Sequence, residues 1–152
     1  MTTNFLCKML FVCLLASSIH AQGQTIAEME KLFPGKMAIF SKVNKVLDIS
    51  LRKGEPYAED KEVSEMMMLD DKANGIYNKD RVYHSSFNEL KKVEAYTLVP
   101  NGNDFKKQKV TEFKTQSSVS RGVFYDDVKE TSFDYPTMLK GSIAHVETEY
   151  YN

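Results

Sequence analysis

The chain has 152 residues, with 20 Lys and Arg residues against 21 Asp and Glu residues, and this length suffices for one domain with a hydrophobic core. Positive and negative residues are interspersed, and the two lysine pairs, Lys91 with Lys92 and Lys106 with Lys107, are too short to form a phosphate-binding patch. The composition therefore excludes a nucleic-acid-binding protein that depends on a basic surface.

The first 21 residues have the pattern of an export signal. Lys8 supplies positive charge, residues 9–16 form a short apolar block, and Ala21 is the small residue that precedes the expected cleavage site. The apolar block is shorter than the roughly 20 residues that a membrane-spanning helix needs. We therefore predict a periplasmic or secreted protein that is cleaved after Ala21 and has no membrane partner afterwards.

Both cysteines, Cys7 and Cys13, lie within this signal. A chain cleaved after Ala21 contains no disulfide, no cysteine-ligated metal and no cysteine nucleophile within residues 22–152. A lipoprotein anchored at Cys13 is the alternative interpretation. Val12 precedes that cysteine where a small residue is expected, which favours the cleaved form.

One short helix is predicted after the signal, within a segment at 22–35. Thr25 can cap it, and Glu28 stands three residues later, which is the spacing of a capping box. Apolar residues at i, i+3 and i+7 share one face of residues 25–33, and Pro34 with Gly35 ends the helix. A helix this short persists only when it packs on another element.

The remaining residues, 36–152, predict strands separated by turns. Strands are predicted at 37–40, 45–51, 63–69, 81–87, 93–99, 105–113, 123–126, 131–135 and 142–151, with turns at 53–56 and 100–104 and loops at 70–75 and 115–122. In the second strand, Leu47, Ile49 and Leu51 alternate with polar residues and share one face. Many short strands and one small helix predict an all-β fold, an antiparallel β-sandwich.

The second half of the chain resembles the DUF3857 family. The resemblance is carried, in order, by Val93-Glu94-Ala95-Tyr96, Pro100-Asn101-Gly102, Phe124-Tyr125-Asp126-Asp127-Val128-Lys129, Phe133-Asp134-Tyr135-Pro136, Lys140-Gly141-Ser142 and Glu147-Thr148-Glu149-Tyr150. It extends over roughly residues 45–150, and the junction of Ala21 with Gln22 is similar to signal cleavage sites common in Bacteroidetes.

This resemblance implies a β-sandwich that is not itself catalytic and that forms the N-terminal part of a larger exported protein. In that family a transglutaminase-like, papain-type domain commonly follows, and its Cys, His and Asp triad would lie after Asn152. On this basis we expect the chain to be a fragment of a longer protein.

His84 and His145 are the histidines that remain after cleavage. Two imidazoles with a carboxylate could hold zinc or activate a hydroxyl, but the two residues lie far apart in the sequence without metal-ligand spacing. A small hydrolase that uses both histidines needs them in one pocket, whereas a binding module leaves them apart. We expect satisfied or exposed histidines and no metal or other cofactor.

Acidic pairs and a methionine run are the other candidates for chemistry. Asp70 with Asp71 and Asp126 with Asp127 lack a calcium-loop pattern and are explained by turn formation. Glu147 and Glu149 share one strand face, like glycosidase carboxylates, but also like any solvent-facing strand. Met66, Met67 and Met68 alternate between faces, which favours core packing over a shared metal.

The predicted function is therefore non-covalent. We expect an exported module that binds or positions for a transglutaminase- or protease-like domain, its partner being a downstream domain of the same polypeptide or an extracytoplasmic protein or glycan. A standalone carbohydrate- or peptide-binding module is the alternative, with a binding surface formed by Tyr125 and Tyr135 near turns and by His145.

Overall fold

The structure is a computed structural model that describes residues 25–118 and 127–152. The predicted export signal with its cleavage site, the predicted strand at 123–126, Tyr125 and Asp126 lie outside the described residues. Neither helix in the described ranges has the length and apolar content that crossing a bilayer requires.

Within those ranges the chain forms two short α-helices, one 3-10 turn and eight strands. They are α1 (Ile26–Leu32), β1 (Ala38–Arg52), β2 (Glu55–Met68), the 3-10 turn Asp71–Ala73, α2 (Asn74–Tyr77), β3 (Lys79–His84), β4 (Glu89–Asn101), β5 (Asp104–Lys109), β6 (Lys114–Ser117), β7 (Lys129–Asp134) and β8 (Ile143–Tyr151).

The strands form two sheets with antiparallel pairing throughout the described residues. A five-stranded sheet has the order β1-β2-β8-β4-β5, and a three-stranded sheet has the order β3-β7-β6. Met68, Ala95, Phe133, Tyr135 and Ala144 pack between the sheets as the main core. The predicted antiparallel β-sandwich with a short N-terminal helix is confirmed.

Helix α1 begins with the predicted capping box. The Thr25 hydroxyl accepts a hydrogen bond from the Glu28 backbone N–H at 3.3 Å, and the Glu28 carboxylate accepts one from the Thr25 N–H at 2.8 Å. Met29 is buried against Met67 and Leu69, on the face of the five-stranded sheet that points away from the core. We call this face the outer face and the core-facing side the inner face.

The three consecutive methionines follow the alternation of a strand. Met66 and Met68 point to the inter-sheet core, and Met67 points to α1 on the outer face. They fill space on both faces and do not converge on one point.

Strand β1 combines the two segments predicted at 37–40 and 45–51. A bulge at Ser41 joins them, because one extra residue shifts the register between Phe40 and Lys42 without ending the strand. The turn predicted at 53–56 is shorter than expected, with Lys53 and Gly54 at φ 54° and 87° forming a two-residue hairpin. Strand β2 therefore begins at Glu55 and not at residue 63.

Three other predictions differ from the structure at element boundaries. Residues 115–117, expected to be loop, belong to β6 because they pair with β7, where the Thr115 and Thr131 hydroxyls lie 2.8 Å apart. Strand β5 ends at Lys109 and not at residue 113. The loop predicted at 70–75 contains the 3-10 turn and the start of α2.

Candidate functional site on the open side of the sandwich

The two histidines lie on opposite faces of the five-stranded sheet. His84, on β3, points between the sheets, where its Nε2 is 3.0 Å from the hydroxyl of the buried Thr131. Burial and the nearby charge of Lys129 lower the pKa of His84. His145, on β8, points to the outer face. The pocket that a two-histidine hydrolase requires is therefore not formed.

His145 is held in a contact network of its own. Its Nδ1 lies 3.1 Å from Glu65 Oε1, and its ring stacks on Tyr96 with centroids 4.2 Å apart and planes 13° apart. Lys107 Nζ lies 3.6 Å from the centroid of the Tyr96 ring. His145 is only 8 % exposed, so its ring is packed and not presented to a ligand.

The sequence predicted Tyr135 on a binding rim, but in the structure Tyr135 lies in the core. Its ring packs edge-on against Phe133, it is 5 % exposed, and its hydroxyl donates to Asp80 Oδ2 at 3.1 Å. Burial and the neighbouring Asp80 carboxylate raise the pKa of Tyr135. The proposed surface of Tyr125, Tyr135 and His145 is therefore not formed by its two described members.

The carboxylates of β8 are paired with lysines across the sheet. Glu147 Oε1 lies 2.9 Å from Lys61 Nζ and 2.8 Å from Lys92 Nζ, and these hydrogen bonds lower the pKa of Glu147 to about 2. Glu149 Oε1 lies 3.1 Å from Lys61 Nζ. A glycosidase acid needs a raised pKa, and Glu147 has the opposite shift.

The acidic pairs act in turns. Asp70 accepts from the Lys72 N–H, Asp71 accepts from the Lys140 N–H, and Asp127 accepts from the Ser86 N–H, each within 2.8 Å. In the described part of the chain, no three His, Cys, Asp or Glu side chains are grouped so as to hold a metal ion.

The inner face of β1 exposes a row of large apolar side chains. The three-stranded sheet ends at β3, so the five-stranded sheet extends past it and its edge strand is left uncovered. The exposed residues that share this inner face are Phe40 (66 %), Val43 (63 %), Leu47 (55 %), Ile49 (69 %) and Leu51 (74 %). We call these five residues the β1 overhang.

A groove of about 370 Å³ runs between the β1 overhang and β3. It is lined by Phe40, Val43, Val82, Tyr83, Val146 and Tyr150, with Glu62 and Asp80 among its polar residues. We call it the side groove. It opens on the side where β1 and β3 are the outermost strands of their sheets among the strands that the structure describes.

A charged cluster lies on the same inner face, beside the side groove. Lys45 Nζ is 2.8 Å from Asp60 Oδ2 and 3.5 Å from Glu62 Oε2. The other oxygen of Asp60 is buried and has no hydrogen-bond partner. Asp60 was not predicted as a site residue, although the sequence places it in an acidic segment, residues 59–62, that follows the apolar row of β1. In the structure Leu47 lies opposite Asp60.

Comparisons with known proteins show the fold alone. No protein-family model and no curated protein sequence matches the chain. One solved structure, described as a putative protease from Parabacteroides distasonis, is similar with a TM-score of 0.63 and 16 % sequence identity. The similarity covers 76 % of this chain and 23 % of that one, so the chain corresponds to about a quarter of that protein's length.

Proposed function

We propose that this chain is a non-catalytic, exported β-sandwich module that binds a partner domain through its open side and positions it. The observation that carries the proposal is the β1 overhang. Five large apolar side chains on one strand face are more than half exposed, and no strand of the described part of the chain pairs with the outer edge of β1. Exposed apolar patches and unpaired edges of this kind mark surfaces that another polypeptide covers.

The titratable groups support a non-catalytic role. His84 bonds to Thr131, His145 is packed between Tyr96 and Glu65, and the Glu147 carboxylate is bound by two lysines. Each group is occupied by contacts that stabilise the fold, and the two histidines do not meet. A general acid and base must share a site with the substrate.

Similarity to part of a longer protein also supports the proposal. The structural neighbour is described as a putative protease, and this fold accounts for about a quarter of it. The DUF3857 resemblance implies a transglutaminase-like domain beside such a sandwich. We therefore propose a protease- or transglutaminase-like domain as the partner, either on the same polypeptide or as a separate exported protein.

A carbohydrate-binding role has less support. Sugar binding by stacking needs open aromatic rings, and on the outer face the Tyr96 ring is in contact with His145 and Lys107. The Tyr57 ring is likewise in contact with Arg52 and Tyr151. The most exposed rings, Phe87 and Phe40, come from separate elements, the loop between β3 and β4 and strand β1.

Site-specific photocrosslinking in the native host tests the binding proposal. A benzophenone side chain at Ile49 is expected to give one discrete adduct in the exported fraction. The same group at Phe105, which is 46 % exposed on β5 at the opposite edge of the sheet, is the matched control. Equal adducts from both positions, or none from Ile49, would contradict the proposal.

Turnover assays test the non-catalytic part. Peptide, ester and glycoside substrates are expected to react no faster with the purified chain than with its H84A and H145A variants. Turnover that is lost on replacing either histidine would establish the hydrolase alternative.

A further inference from the structure

We propose that the side groove is a strand-addition site. An extended segment of a partner polypeptide, with alternate apolar residues and at least one lysine or arginine, pairs with the free edge of β3 and lies beneath the β1 overhang. This inference rests on the proposed function and specifies which chemistry of partner the open side accepts.

The shape of the sandwich leaves room for one strand. The side groove is bounded by Phe40 and Val43 of β1 above and by Val82 and Tyr83 of β3 below. Neighbouring strands lie about 4.8 Å apart and packed sheets about 10 Å apart. A strand added beside β3 therefore comes to lie under β1, at the position that the three-stranded sheet leaves empty.

Within residues 25–118 and 127–152, the backbone of β3 pairs with no strand on that side. The Tyr135 N–H donates to the Asn78 carbonyl at 2.7 Å, which fixes the phase of the ladder between β3 and β7. Since antiparallel hydrogen-bonded pairs alternate, Asp80 and Val82 bond to β7, while Arg81 and Tyr83 direct their backbone groups to the free edge. Consistently, the Arg81 N–H is bonded locally to Asp80 Oδ1 at 2.7 Å and not to β7.

The surfaces around this position are apolar with an acidic margin. Phe40, Val43 and Leu47 are each more than half exposed and would cover the apolar residues of an incoming strand. Glu62, Asp80 and Arg81 line the side groove, and Asp60 lies beside Glu62 on the inner face of β2, so three carboxylates stand on this side with two cations, Lys45 and Arg81.

Lys45 lies among these carboxylates but leaves one Asp60 oxygen without a hydrogen-bond donor. It bridges Asp60 and Glu62, yet the second Asp60 oxygen has no donor although it is buried. A buried acceptor without a partner is costly, and Asp60, Glu62 and Asp80 together carry one more charge than Lys45 and Arg81, so an added lysine or arginine would balance the group. The charge of the margin therefore selects a basic strand over an acidic one.

Peptide titration tests the proposal. The probe is an acetylated and amidated nine-residue peptide with threonine at the positions that face away from β1, and with valine at the positions that face β1 except for one lysine, because Asp60 and Glu62 lie on the same face as the β1 overhang. The two matched controls are the same peptide with glutamate for lysine, and the lysine peptide N-methylated at alternate residues. We expect the lysine peptide to bind at least ten times more tightly than either control in calorimetric titrations, with weaker binding as salt is raised.

Two protein variants locate the binding. Tyr83→Pro removes an N–H at the free edge while leaving the bonds from β3 to β7, and it is expected to abolish binding; Tyr83→Ala, the matched control, is expected to retain it. Asp60→Asn should reduce the preference for lysine over glutamate. If Tyr83→Pro is unfolded by circular dichroism, slowed amide exchange of Arg81 and Tyr83 in the wild-type complex gives the same information.

The outcomes separate this inference from the proposed function. Equal affinity for all three peptides, or binding unaffected by Tyr83→Pro with no slowing of those amides, overturns strand addition. If the Ile49 adduct still forms in that case, the proposed function stands without it; if the adduct is also absent, both fall. A concentration-dependent dimer abolished by Tyr83→Pro would make the occupant a second copy of this chain, which overturns the assignment to a separate partner.

Discussion

Replacing Ile49 by serine tests whether the β1 overhang is independent of the core. Ile49 is 69 % exposed, so about a third of its surface is covered in the folded chain. Complete burial of an isoleucine side chain contributes about 1.5–3 kcal/mol. The covered third is therefore worth less than about 1 kcal/mol, and Ile49→Ser is expected to lower the free energy of unfolding by no more than that.

Met68 provides the matched comparison on the neighbouring strand. It is fully buried between the sheets, and truncation of a buried methionine to alanine costs about 2–5 kcal/mol. The two substitutions lie on the same inner face of the same sheet. A large difference between their effects on the free energy of unfolding therefore reflects how deeply each side chain is buried, and not a general effect of substitution in a strand.

Urea unfolding at pH 7 measures both variants. Tyrosine fluorescence and circular dichroism follow the transition, because the chain has eight tyrosines and no tryptophan. The dependence of the free energy of unfolding on urea concentration should be unchanged for Ile49→Ser, and the urea midpoint should shift only slightly. A loss above about 2 kcal/mol for Ile49→Ser would show that this side chain belongs to the core, and the argument for a docking surface would fail.

Three further substitutions test contacts within the fold. Glu147→Gln should lower the free energy of unfolding by about 1 kcal/mol at pH 7, because the native pKa of about 2 lies below the unfolded value near 4.5. This stabilisation is present above pH 4.5 and is lost as the pH falls toward 2. The urea unfolding curves of wild type and variant should therefore converge near pH 2. Gly141→Ala should lower the melting temperature and speed amide exchange in α1, because φ is 84° and the new Cβ would lie 2.5 Å from Ile26 Cδ1. Tyr135→Phe removes the hydrogen bond to Asp80 and should cost about 1 kcal/mol in urea unfolding.

The features predicted correctly from the sequence depend on local chemistry. The α1 capping box needs only Thr25 and Glu28, and the turn at residues 101–104 needs only residues that tolerate its backbone angles, such as Gly102 at φ 66°. Fold class follows from many such short elements.

The features missed depend on partners distant in the sequence. Residues 55–62 of β2 are mostly charged or polar, and they are strand because they pair with β1 on one side and, from Glu59 onward, with β8 on the other. Residues 114–117 become β6 in the same way, through pairing with β7. Neither segment has a hydrophobic pattern of its own, so alternation could not identify it.

The candidate site shows a similar limit. Tyr135 stands beside Pro136 in a turn-like context, which suggested an exposed rim, but its side chain returns to the core to meet Phe133 and Asp80. His145 follows the alternation of β8 onto the outer face, yet the two side chains that enclose it, Tyr96 and Glu65, come from other strands.

Alternating apolar residues in a strand usually indicate a face that packs on the protein's own core, but the alternating row of the β1 overhang is exposed. Leu47, Ile49 and Leu51 do share one face, as predicted, but that pattern specifies only that something apolar must cover the face and not which polypeptide supplies the cover. The number of strands in each sheet determines which part of β1 is covered. With five strands facing three, β3 reaches Phe40 and Val43 but not the outer part of β1, and the acidic residues of β2 stand beside the uncovered face. Among the residues that the structure describes, no strand lies beside β3 beneath this row, and an added strand at that position would complete the sandwich.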